Sequence, residues 1–99
     1  MIVVSGIIQV AETDVGPAIE AATVMAVATR EEPGCRAYAF YQDIERPGAF
    51  RVFEEWDDRA ALKAHFETAH MAEFRAKLGS IGVLSRDVKI YDVSGTETL

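Results

Sequence analysis

The hydrophobic pattern changes period several times along this chain. Met1–Val10 (MIVVSGIIQV) is almost continuously apolar and rich in Val and Ile, which predicts a strand with both faces covered. Thr13 or Asp14 is placed to cap a helix, with Pro17 tolerated in its first turn. Val15, Ile19, Ala22 and Ala26 then recur at helical spacing, a stripe widened by Met25. "REEPG" ends that helix, because Pro33 cannot continue it and Gly34 admits turn dihedrals. Cys35–Asp43 and Ala49–Trp56 read as two strands joined by the turn "IERPG", an antiparallel hairpin.

Asp57 or Asp58 is expected to cap a second helical region, where its charge suits the positive helix end. Ala61, Leu62, His65 and Phe66 lie close together there, and "ETA" is a candidate interruption before His70–Leu78. "GSIG" reads as a loop and Val83–Val93 as the last strand, strongest over "VKIYDV". The polar tail, residues 94–99, is expected to fray from a single domain spanning 1–99.

Strand, helix, strand, strand, helix, strand is the ferredoxin-like pattern of an α+β fold: a four-stranded antiparallel sheet with the helices on one face. Phe40 is out of phase with Tyr41, and Phe53 with Trp56, so both sheet faces carry large apolar groups. A chain of this size cannot hide both alone, which predicts a homodimer joined sheet to sheet.

Composition narrows the partners. The 99 residues carry a net charge of −6 with no basic run, which argues against nucleic acid. No apolar run approaches the ~20 residues of a membrane span, and the N-terminus lacks a basic leader. With one cysteine and so no intrachain disulfide, a cytoplasmic protein is expected.

Two stretches carry a family resemblance: "EEPGCRAYAFYQD" (Glu31–Asp43) and "FRVFEEWDDRAALKAHFETAHMAEF" (Phe50–Phe74). The pattern is Pro-Gly-Cys with Tyr38 three residues on. Phe53 and a Glu-x-Trp follow, then a His nine residues past the Trp and a second His five later. Over about residues 1–93 the chain resembles the antibiotic biosynthesis monooxygenase (ABM) domains. The resemblance implies a dimeric α+β barrel with a pocket between sheet and helices in each protomer. It also implies oxidation of a quinol or phenol by O₂ with no metal, flavin or haem, so no cofactor is expected. Relatives degrade haem, isomerise or epimerise phosphorylated sugars, or have no assigned activity.

Glu54 and Trp56 share a strand face with Val52 and Phe50. On the helix side, Glu54 would be a desolvated carboxylate able to move a proton, or else one that pairs with an arginine. Trp56 would be an aromatic wall, or simply core. His65 is favoured over His70 as the catalytic imidazole because it shares a stripe with Ala61 and Leu62, and His70 is assigned to substrate contact. Val52, Leu62 and Phe66 complete the expected lining. Five residues apart on one unbroken helix, the two histidines would point about 140° apart. A break near Thr68 would bring them together, but Cys35 and the carboxylates show no metal-ligand spacing, so no metal site is expected. Cys35 reads as a small apolar filler.

The chain also departs from the family's polyketide oxygenases, which have Asn four residues before this Trp and Tyr six after. Val52 and Leu62 stand there instead. Near the place of the haem ligand in haem-degrading relatives the chain has Arg75, which argues against haem. The leading expectation is therefore a cofactor-independent monooxygenase taking a small aromatic substrate and O₂. The alternatives are an isomerase or epimerase, with Lys63, Arg75 or Lys89 as phosphate anchor, and a non-catalytic binding dimer.

Overall fold

The computed structural model describes residues 1–99. Strand β1 (Ile2–Val10) alternates strictly, with even-numbered residues buried and odd-numbered ones half-buried. Its apolar run thus reflects one core face and one partly open face. The strand is central: β3 (Ala49–Trp56) pairs with it antiparallel on one side and β4 (Val83–Asp92) on the other, while β2 (Cys35–Gln42) completes the sheet beyond β3. The order β2-β3-β1-β4 is the ferredoxin-like α+β arrangement.

The β1–β4 pairing needs Gly6. A Cβ there would lie 2.1 Å from the Asp87 carbonyl oxygen and 2.3 Å from Val88 Cα.

Helix α1 (Val15–Thr29) follows a short 3-10 turn, Glu12–Asp14. Its start differs from expectation: Asp14 occupies the cap position but makes no side-chain capping bond. Its buried face keeps Met25 and Ala26 of the expected stripe but adds Ala18, Ala21 and Thr29, while Ile19 is 43% exposed. The helix is apolar on most sides, so the pattern could not select a face.

The second helical region is two helices. In α2 (Arg59–Phe66) the Asp58 side chain accepts from Ala61 N–H. In α3 (Ala69–Ile81) Thr68 Oγ1 accepts from Met71 N–H and donates to the His65 carbonyl. That hydroxyl satisfies both sides of the break. Helix α3 runs through Gly79–Ile81, where a loop was expected, and stops only at Gly82 with φ of 81°.

The helices cover β1, β2 and β3, burying Ile2, Val4, Met25, Val52, Trp56 and Leu62 in the main core. Strand β4 is mostly exposed on both faces. No helix is long and apolar enough to cross a membrane.

Candidate functional site

Register places the polar residues of the core. Tyr38 lies opposite Glu54 and Phe40 opposite Val52, so all four project to the helix side. Across β1, Val4 pairs with both Glu54 and Ile90. Where the helix layer thins toward β4, this face encloses a cavity of about 190 Å³. Its apolar wall includes Val4, Phe40, Val52, Met71 and Phe74. Glu54, His65 and Tyr38 supply buried polar residues to its lining, and the exposed Phe66, Ile90 and Arg86 complete it.

Glu54 is only 6% exposed. Burial raises its pKa from 4.5 to about 7, partly opposed by the hydrogen bond it accepts from Trp56 Nε1 at 2.9 Å and reinforced by the charge of Glu32. Near neutral pH it is therefore a mixture of acid and carboxylate. Tyr38 is pushed far the other way from ionisation, chiefly by burial, and its hydroxyl stays a donor.

His65, 1% exposed, sits in an aromatic shell, its ring centroid 4.8 Å from Trp56 and 5.6 Å from Tyr38. Its Nδ1 lies 2.8 Å from Glu32 Oε2, and His70 Nε2 lies 2.7 Å from the same oxygen. A carboxylate only accepts, so each ring presents an N–H to it at that nitrogen. His65 Nε2 is thereby left as a free lone pair. Burial lowers the His65 pKa, and the Glu32 hydrogen bond and charge only partly restore it, so the ring is neutral at neutral pH.

Of the residues expected from sequence, Val52, Glu54, His65 and Phe66 meet at the cavity. Trp56, fully buried, does not line it but stands behind, bonding Glu54 and stacking near His65. Leu62 is buried in the main core. His70 turns to Glu32 and not to the cavity. The 140° argument fails because the chain bends at Thr68 between the two histidines.

Glu32 was missed. It lies in an acidic turn, where nothing local sets it apart from Glu31, although its side chain is only 11% exposed. Arg86 also went unnoticed, while Lys63 and Arg75 stay outside the cavity and Lys89 pairs with Asp87.

An α+β chain with an acid, an imidazole and a phenol around a small apolar cavity is the class these features define. The chain belongs to the antibiotic biosynthesis monooxygenase (ABM) family, whose model matches residues 1–77. It is 41% identical over 71 residues to the uncharacterised protein sll1783 of Synechocystis sp., covering 72% of this chain and 48% of that one. Rv0793 of Mycobacterium tuberculosis, provisionally named a monooxygenase, is 35% identical over 66 residues, covering 67% of this chain and 62% of its own length. The matches thus span about half to three-fifths of these relatives. A Deinococcus radiodurans structure provisionally named for the same family superposes with a TM-score of 0.94 at 22% identity, covering 100% of this chain and 98% of that one.

Proposed function

We propose that the protein is a cofactor-independent monooxygenase that oxidises a small phenol or quinol with O₂. The observation that carries this reading is the pairing of a neutral, oriented imidazole and a near-neutral carboxyl group in one apolar cavity. A cavity near 190 Å³ is sized for a single substituted ring, since an engineered apolar cavity of about 150 Å³ takes benzene. This fits the absence of the polyketide-contacting Asn and Tyr at Val52 and Leu62.

His65 Nε2 takes the phenolic proton, with Glu32 fixing the ring as donor at Nδ1. Tyr38 donates a hydrogen bond to the phenolate. The phenolate gives one electron to O₂, and the resulting radical and superoxide join at a ring carbon. A proton from Glu54 or the imidazolium completes the hydroperoxide, which loses water to leave a quinone. One oxygen atom of O₂ enters the product and the other leaves as water. The apolar walls exclude bulk water from the radical pair.

An oxygen electrode tests this with a panel of hydroquinones and naphthols. Uptake well above that of the His65→Ala variant is expected; equal rates sink the reading. Arg86 supports a second reading, isomerisation of an anionic metabolite, which anaerobic turnover would reveal.

The half-buried Val3, Ile7 and Phe53 on the far sheet face, with exposed Tyr41 and Tyr91, support a homodimer. A stable monomer near 10.9 kDa in sedimentation at micromolar concentration would exclude the dimer.

A further inference from the structure

We propose that Glu32, His65 and His70 form a site for one divalent transition-metal ion at the seam between α2 and α3. Three separate segments deliver the donors: the turn before β2, the last turn of α2 and the first turn of α3. Their ligating atoms all lie within 4.8 Å of one another. Two imidazoles and one carboxylate are the donor set of many divalent-metal centres.

Glu32 Oε2 is 2.8 Å from His65 Nδ1 and 2.7 Å from His70 Nε2. The carboxylate is thus the donor shared by both rings, and an ion would take the place of the two protons between them. Mixed nitrogen and oxygen donors suit Mn²⁺, Fe²⁺, Co²⁺, Ni²⁺ and Zn²⁺.

Access and support are present. Beside the cluster lies an open groove of about 400 Å³ whose walls include Glu32, Asp57, Asp58 and Thr68. Its carboxylates favour an approaching cation. Trp56, Tyr38 and Phe66 pack around the His65 ring, and Thr68 Oγ1 bonds the His65 carbonyl, so the inner ligand is held before the ion arrives.

Binding would exchange tautomers. The protons now pointing at Glu32 give way to the ion, and His65 takes its proton at the far nitrogen. His65 Nε2 then carries a proton and can no longer accept one from a substrate. That consequence rests on the proposed catalytic role of His65; the site itself does not. The ion and the proton-acceptor state would exclude each other.

The test uses the untagged full chain, stripped with a chelator and titrated with Co²⁺. Trp56 is the only tryptophan, and its ring centroid is 4.8 Å from that of His65, so its fluorescence reports the ion directly. Saturable quenching at one equivalent is expected, with half-saturation below ~100 µM and affinity at least ~10-fold weaker in both Glu32→Gln and His70→Ala. Circular dichroism checks that the variants fold. Half-saturation above that limit in the parent protein overturns the site whatever the variants do. So does parent-like affinity in either folded variant. Oxygen uptake is not measured, so failure of the monooxygenase reading leaves this result intact.

Discussion

Replacing Glu54 by Gln tests whether the sheet really holds a desolvated carboxyl group. Gln keeps the shape and can still accept from Trp56 Nε1, but it has no proton to lose. The folded pKa of about 7 stands against 4.5 for the free group. An acid whose pKa is raised on folding stabilises the native state at low pH, because the native state keeps a proton that the unfolded chain has released. Stability of the parent should therefore fall as pH rises from about 4.5 to about 7, then level off. At about 1.4 kcal/mol per unit, the gap corresponds to a fall of about 3 kcal/mol. The Gln variant lacks this fall, while other titrating groups are shared and largely cancel in the difference. Urea denaturation of both proteins between about pH 4.5 and 8 gives that difference directly. It should move by about 3 kcal/mol in favour of Gln. Curves parallel within ~0.5 kcal/mol across this range would refute the buried carboxyl.

Three further substitutions probe the frame. Gly6→Ala forces a Cβ into the β4 backbone at 2.1 Å, and should abolish cooperative thermal unfolding or cost more than ~3 kcal/mol; a loss within ~0.5 kcal/mol would show that β4 does not pair as described. Thr68→Ala removes the α3 cap and the bond to the His65 carbonyl, and should cost about 1 kcal/mol by denaturant titration; no loss would mean the break is held by packing alone. Leu62→Ala should destabilise by about 2–5 kcal/mol, because the side chain is buried in the core; a near-neutral stability with altered substrate affinity would return Leu62 to the pocket.

The strands were legible because β-branched, apolar runs between turn residues are a local signal, although the partly open face of β1 was not, since its apolar run is nearly continuous. Ala49–Trp56 was bounded correctly from the turn before it and the Asp pair after it. The face of α1 was only partly legible: Met25 and Ala26 are buried as the stripe implied, but close packing on the sheet takes the small Ala18 and leaves the larger Ile19 half-exposed. The extension of α3 through Gly79–Ile81 was hidden by small residues that favour loops locally but are carried by the helix here. At the site, Glu54 and His65 could be found by period and stripe. Glu32 could not, because nothing local distinguishes it from Glu31.

The sequence by itself determined the element order, which residues share a face of β3 and a candidate break near Thr68. These follow from short-range periodicity, capping and turn chemistry. Only the tertiary structure decided that Trp56 backs the cavity without lining it, and that Glu32 reaches across 33 residues to His65 and 38 to His70. Such contacts depend on how far a helix is bent and how layers dock. Those are settled by packing the whole core, and no local pattern encodes them.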